Sequence, residues 1–204
     1  ARPSLLVALS AVAAAGSLGT LIGLMAGHFR GWVDVVLSRL VDMTMSIPAL
    51  LLVILLSASL KPGLSTVVIA ISSVAWVPYA RVVRSQTLST TQRDFVLSAR
   101  SSGASEWRII SHHILPNVAN PIIVLSTIQI GSLIIIEASL SFLGLGIQPP
   151  DTSWWLMVAN GRNYVTTAWW LALIPGLAIM ITVLGINLFG NWLGYRLDPV
   201  RRRQ

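Results

Sequence analysis

Five long apolar segments separated by short polar ones constrain this chain more than any other feature. They cover residues 5–26, 40–60, 64–83, 118–143 and 170–193. Each has about the 20 residues that a helix needs to cross a hydrocarbon core of about 30 Å. Only 10% of the 204 residues are charged, whereas a soluble domain has about 25%. We therefore predict an all-α, polytopic membrane bundle whose outer surface meets lipid.

The basic residues predict how the bundle is oriented. Eleven of the fourteen Lys and Arg residues fall at one predicted end, in segments 27–39 and 84–117, at the adjoining Arg81 and in the tail 194–204. The three at the opposite end are Arg2, Lys61 and Arg162. By the positive-inside rule the richer end is cytoplasmic. This predicts a cytoplasmic loop over 84–117 and a basic cytoplasmic C-terminus.

An external loop is predicted over 147–169, with Pro149-Pro150 near its start. It contributes to two Trp pairs, Trp154-Trp155 and Trp169-Trp170. Aromatic pairs of this kind are typical of the belt at a membrane interface. Contact with an external partner is the alternative.

Small residues and prolines predict how the spans pack. Four glycines in the first span lie three or four residues apart, and such a stripe lets two helices approach closely in lipid: Gly16, Gly19, Gly23 and Gly27. A tight turn is expected at 61–63, between antiparallel helices. Pro48 and Pro175 each permit a kink, because proline removes a helical hydrogen bond.

Few polar groups lie within the spans, and each is expected to face protein or water. Asp42 is three residues from Arg39, which favours a local ion pair. Four others are candidates for a translocation path or for hydrogen bonds between helices: Glu137, Ser139, Ser141 and Asn187.

The loop 84–117 is predicted to hold two short helices with a sharp bend. Thr91 and Asp94 resemble a capping box, which begins a helix over 92–102. Gly103 suits the left-handed position that ends a helix. Ser105 is placed to cap a second helix.

On that second helix an apolar edge is predicted at Trp107, Ile110 and Ile114, and Pro116 is expected to end it. One interpretation is an amphipathic helix resting on lipid headgroups. A Trp between Glu106 and Arg108 better suits a socket on a partner protein.

The loop resembles the EAA loop of binding-protein-dependent ABC importer permeases, with the pattern E-A-A-x3-G-x9-I-x-L-P. Ala99, Gly103, Leu115 and Pro116 match it, while Leu97, Ser98 and His113 replace its Glu, second Ala and Ile. The segments 109–117, 140–153, 175–179 and 197–199 resemble the C-type permease subunit of dipeptide, oligopeptide and nickel importers. The segment 190–194, GNWLG, departs from that family's GD-x-L-R-D.

The resemblance implies a single permease domain over 1–204 with the type I ABC importer fold in a bacterial plasma membrane. Five of the usual six spans are expected here, since residues 1–5 resemble the lead-in to the second. The implied activity is peptide import, with nickel or another small solute as the alternative. The implied ATPase-coupling residues are Ala99, Gly103, Ala104, Ser105, Glu106, Trp107, Arg108, Leu115 and Pro116.

The same resemblance implies several partners. They are cytoplasmic ATP-binding subunits, a second related permease, an extracytoplasmic solute-binding protein, a peptide substrate and membrane lipid. No G-x-x-x-x-G-K-[ST] occurs, so ATP and Mg are expected on the partner ATPase and no cofactor on this chain. Nucleic acid is not expected, because the basic residues form no single patch.

Two other function classes are disfavoured. A hydrolase would need a nucleophile with a base, or metal ligands. The sequence contains neither H-E-x-x-H nor G-x-S-x-G, and it has no cysteine. His112 and His113 are adjacent, so a helix points them about 100° apart, and no metal site is expected. A secondary transporter or channel would need repeated broken helices or charged rings, and the sequence has no internal repeat.

Overall fold

The computed structural model describes residues 2–61, 63–146 and 153–197, and the regular structure in them is helical throughout. The helices are α1 (Arg2–Phe29), α2 (Gly31–Ser46), α3 (Ala49–Ser59), α4 (Leu64–Thr90), α5 (Asp94–Ser101), α6 (Glu106–Arg108), α7 (Leu115–Phe142), α8 (Trp154–Gly161) and α9 (Trp170–Leu197). A π-helical stretch, Ile109–Ile114, joins α6 to α7. Within these ranges, four helical segments are long and apolar enough to cross a membrane, or five with α2 and α3 counted as one bent span. This confirms the predicted all-α bundle.

The centre of the bundle is the pair α1 and α4, which approach closely along the predicted glycine stripe. A Cβ on Gly23 would lie 2.6 Å from the carbonyl oxygen of Ala80, and one on Gly27 would lie 2.8 Å from that of Arg84. A backbone oxygen cannot move aside as a flexible side chain can. The stripe is therefore confirmed as a packing surface, and its partner is α4.

The second predicted span is wrong as a single helix over 40–60. It consists of α2 and α3, which meet at an angle of 83°. Pro48 precedes α3, and Ile47 before it is extended, with φ −98° and ψ 128°. The proline ring disfavours the helical region for the residue before it, and here the span divides at Pro48 rather than bending through it. The gap predicted at 27–39 is also mostly helix, because α2 begins at Gly31.

At the predicted outer end, α8 lies within the long loop. The Oγ of Ser153 caps it by accepting from the backbone N–H of Leu156 at 3.1 Å. Trp154 and Trp155 are half-buried and pack on a cluster of Ala8, Ile134 and Ile179. Trp169 and Trp170 are exposed and stack edge to face, with ring centroids 5.9 Å apart. The four tryptophans therefore divide into a packed pair and an exposed pair.

Some sequence predictions lie outside the described residues. They concern Pro62 in the turn at 61–63, Pro149-Pro150, and the end of the basic tail from residue 198. Within the described part, α9 continues through Pro175. It packs on α7 where a Cβ on Gly131 would lie 2.9 Å from Val183.

Candidate functional site

The loop between α4 and α7 begins differently from its sequence prediction. α4 continues to Thr90, so Thr91 is its C-terminal cap rather than the start of a capping box. The hydroxyl of Thr91 donates to the carbonyl of Leu88 at 3.0 Å, and the residue that precedes α5 is Arg93. The capping box is therefore wrong, and α5 covers Asp94–Ser101 rather than 92–102.

The turn that ends α5 has the geometry predicted for Gly103, with φ +79°. The N–H of Gly103 donates to the carbonyl of Arg100 at 3.0 Å, and that of Ala104 donates to Ala99 at 3.1 Å. This pair of bonds is a Schellman motif, which requires a left-handed residue at the position of Gly103. The A-x3-G spacing thus has a physical cause, since Ala99 and Gly103 occupy defined places in one helix ending.

The helix after the turn starts as predicted but continues differently. The Oγ of Ser105 accepts from the N–H of Arg108 at 3.4 Å, which confirms Ser105 as the cap. The backbone then becomes π-helical, and Ile109 and Ile114, five residues apart, are the buried pair. The predicted edge is therefore wrong, because Trp107 and Ile114 lie on different faces. Pro116 does not end the helix, since α7 continues directly from the π-helical stretch.

The loop is seated on the bundle through one apolar cluster. Val96 from α5 and Ile109 and Ile114 from the π-helical stretch are buried against α1 and α4. Their partners there are Leu24 and Val83. Separating the loop from the bundle would expose this cluster, so the loop is packed firmly on α1 and α4.

The opposite side of the loop presents large apolar side chains outward. Trp107 is 76% exposed, and Phe95 and Leu97 are also exposed. Arg108 and the turn residues Gly103 and Ser105 are exposed beside Trp107. A large aromatic flanked by charges and left uncovered is the usual composition of a protein contact.

Glu106 is less free than its position suggests. Its Oε2 lies 2.6 Å from the Nε2 of His28 and 3.2 Å from the Nη2 of Arg100. Burial acts to raise the pKa of the Glu106 carboxyl, but the hydrogen bond with His28 and the charge of Arg100 hold that pKa below its ordinary value. Sequence reasoning missed His28, which is 78 residues away from Glu106. No local pattern signals a pair at that separation.

The remaining residues of the loop prediction lie apart from the turn. Leu115 is eight residues beyond Trp107, about 12 Å along a helix, and it lines a groove between α1 and α7. Pro116 lies in the first turn of α7. His112 lies 2.7 Å from the Oγ of Ser111, and His113 contacts the ring of Phe95. The structure therefore brings the predicted residues within 99–108 together at the turn, and it places Leu115 and Pro116 at the start of α7.

The four candidate path residues are not gathered at one site. Glu137 is fully buried and accepts from the hydroxyl of Ser141 at 2.8 Å. Ser139 bonds to the carbonyl of Ile135 within its own helix. Asn187 on α9 faces Gly131, where an added Cβ would lie 3.5 Å from the Oδ1 of Asn187. Glu137 and Ser141 form a structural pair within α7, and Asn187 belongs to the α7–α9 contact.

A polar cavity of about 410 Å³ lies between α1, α2 and α4. Asp34 and Arg84 form a two-bond ion pair beside it, with Nη2 and Oδ2 2.6 Å apart. Asp42 and Arg81 line the cavity. The predicted Asp42–Arg39 pair is absent from the described residues, where the ion pair of this region joins Asp34 on α2 to Arg84 on α4. The described residues contain no group of His, Cys, Asp and Glu suited to a metal.

Two curated relatives are similar to nearly all of this chain. A dipeptide transport system permease protein of Alkalihalophilus pseudofirmus is 42% identical, over 98% of this chain and 66% of the relative. A glutathione transport system permease protein of Pectobacterium atrosepticum is 40% identical, over 97% of this chain and 66% of the relative. The chain thus spans slightly less than two thirds of the length of these relatives.

A solved structure has the same fold. An inward-facing form of the MetNI methionine ABC transporter matches with a TM-score of 0.78, over 97% of this chain and 94% of that chain, at 17% identity. The family model described as binding-protein-dependent transport system inner membrane component matches residues 19–203. The chain therefore belongs to the family of binding-protein-dependent transport system inner membrane components.

Proposed function

We propose that this chain is the membrane-spanning permease subunit of an ATP-driven importer of short peptides. Its described helices form a bundle of the importer-permease fold, and its relatives are permease proteins of dipeptide and glutathione transport systems. In this proposal the chain itself is not an enzyme. A separate cytoplasmic ATPase hydrolyses ATP with Mg, and the loop 84–117 receives its motion.

The observation that carries this proposal is the exposure of Trp107 on a seated loop. The inner side of the loop is fixed by the buried Val96, Ile109 and Ile114, while Trp107 is 76% exposed. Burying a Trp side chain in a partner's pocket contributes a large part of the free energy of many protein contacts. We assign docking to four exposed members of the predicted set at the turn, Gly103, Ser105, Trp107 and Arg108, with Ala99 and Ala104 shaping the turn.

The remaining partners follow from the same proposal. A second, related permease would complete the path, and an extracytoplasmic solute-binding protein would deliver the peptide near the exposed Trp169 and Trp170. Motion of the ATPase would alternate access between the two sides. We also propose a cytoplasmic C-terminus, because the last turns of α9 line one cavity with Val82 and Asn120, near the loop.

Short peptides are the proposed cargo, with nickel or another small solute as the alternative. A peptide carries an ammonium and a carboxylate, and Asp42 and Arg81 line one polar cavity. These two residues are stronger path candidates than Glu137 and Ser141, which are buried and paired with each other. Ser139 and Asn187 remain proposed path residues.

Photo-crosslinking tests the docking directly, because the chain has no cysteine of its own. Trp107→Cys, labelled with a maleimide–benzophenone before the ATPase is added, should capture the ATPase subunit when the reassembled complex is illuminated. The exposed position of Trp107 makes the label accessible. Capture is identified by mass spectrometry of the cross-linked band.

Trp169→Cys is the matched control, since Trp169 is also an exposed tryptophan but lies at the other end of the bundle. It should capture no ATPase. Capture of lipid or of another permease alone by the label at position 107 would count against the proposed function.

A further inference from the structure

The contact between His28 and Glu106 joins two parts of the molecule that are distant in sequence. His28 lies in the last turn of α1, and Glu106 is the first residue of α6, just after the turn at Gly103. Their Nε2 and Oε2 atoms are 2.6 Å apart. We propose that His28 is a positioning residue that fastens the loop to α1, so that displacement of the turn moves α1 together with α4. This inference rests on the proposed function.

The environment of His28 makes this contact specific. Its side chain is 1% exposed, whereas that of Glu106 is 52% exposed. The Nδ1 of His28 has no hydrogen-bond partner in the described residues. An ionised carboxylate only accepts, so the Nε2–H of His28 is the donor. Separating the pair would leave a buried imidazole without any partner, which is costly.

A second bond reinforces the same junction. Arg30, directly after α1, donates from Nη2 to the hydroxyl of Thr91 at 3.1 Å. Arg30 and Gly31 have positive φ angles of 52° and 54°. The end of α1 and the residue after it therefore contact the loop at two places, at Glu106 through His28 and at Thr91 through Arg30.

The packing of α1 makes it a suitable receiver of motion. α1 and α4 are in backbone contact along Gly19, Gly23 and Gly27. The loop is attached to α4 through the chain itself, and to α1 through His28 and the apolar contacts of Leu24. A push at the exposed Trp107 is then transmitted to both helices of this pair, rather than twisting α4 against α1.

Arg100 offers an internal control. It also contacts Glu106, at 3.2 Å, but both residues belong to the loop and both side chains are about half exposed. Breaking this bond leaves the connection to α1 intact. Of the two contacts that Glu106 makes, the one with Arg100 lies within the loop, and the one with His28 joins the loop to α1. Variants at Arg100 and His28 therefore test the two contacts separately.

The test compares two amides at position 28 in the complete transporter, reconstituted with its ATPase and binding protein. In His28→Gln the side-chain nitrogen takes the place of Nε2 and keeps the bond. In His28→Asn it corresponds to Nδ1 and does not reach Glu106. Peptide taken up per ATP hydrolysed should fall at least fivefold in H28N and stay within about twofold of wild type in H28Q and Arg100→Gln.

Docking is measured separately, by capture of the ATPase from a label at position 107 in the H28N background, and should be retained. If H28N does not assemble, Glu106→Ala at its half-exposed position should show the same fall. A wild-type ratio in H28N or E106A, or an equal fall in R100Q, would overturn the inference. Absence of ATP-driven uptake in the wild-type complex would instead overturn the proposed function.

Discussion

Single glycines of this chain differ sharply in what surrounds them. Gly23 on α1 faces the backbone of α4, with Ala80 O and Arg84 N both within 3 Å of a built Cβ. Gly185 on α9 has no atom within 4 Å of such a Cβ. Glycine is therefore required for close helix packing at Gly23, whereas at Gly185 it only lowers the stability of the helix.

Adding one methyl group at each position tests this difference. Gly23→Ala should destabilise the protein by about 1–3 kcal/mol, the usual cost of overpacking, because the backbone of α4 must move. Gly185→Ala should leave stability unchanged or raise it by about 0.5–1 kcal/mol, because alanine favours a helix. Thermal unfolding in detergent measures both. Equal melting temperatures for the two variants would show that α1 and α4 are not in backbone contact.

Residues whose role is set by the nearest few positions were predictable from the sequence. Gly103 and Ser105 are examples, because a helix ending and a cap depend on local backbone geometry. Thr91 was not, since its role depends on how far α4 continues. The position of Trp107 relative to Ile114 was not predictable either. The π-helical stretch between them adds a residue to the turn and shifts every side chain after it.

At the scale of elements, the bent loop depends on one left-handed residue. No atom lies within 4 Å of a Cβ built on Gly103, so within this chain a substitution there acts through the backbone alone. That isolates the bend from side-chain packing and allows a clean comparison of two replacements.

Gly103→Val and Gly103→Asn should behave differently. A non-glycine residue in the left-handed region costs roughly 1–2 kcal/mol, and a β-branched one is the least tolerated there, whereas asparagine is accepted at helix ends. Valine should lower peptide uptake per ATP severalfold in the reconstituted transporter, and asparagine should largely preserve it. Normal coupling in the valine variant would indicate that the bend is not needed.

The broken second span shows the limit of apolar content as a guide. Residues 40–60 are apolar enough for one helix, but the backbone rule at Ile47-Pro48 outweighs hydropathy. The sequence signals the possibility of a kink at proline, and only tertiary packing decides whether the helix bends or divides. The Asp34–Arg84 pair, 50 residues apart, contributes to where α2 lies.

For the whole molecule, composition correctly predicted a helical bundle whose outer surface remains apolar. Large apolar side chains remain exposed along α9, including Ile174, Ile181, Leu184 and Leu188. In water this surface would be unfavourable, whereas lipid or a partner permease satisfies it. The His28–Glu106 link belongs to this scale as well, since it exists only once α1, α4 and the loop are assembled.

The most direct measurement of the central claim is uptake of a labelled dipeptide into proteoliposomes that contain the complete transporter. The account predicts accumulation that requires ATP, stops when the ATPase subunit is omitted, and loses its coupling to hydrolysis in Trp107→Ala. Accumulation that proceeds without ATP, driven by an ion gradient, would contradict the account and favour a secondary transporter.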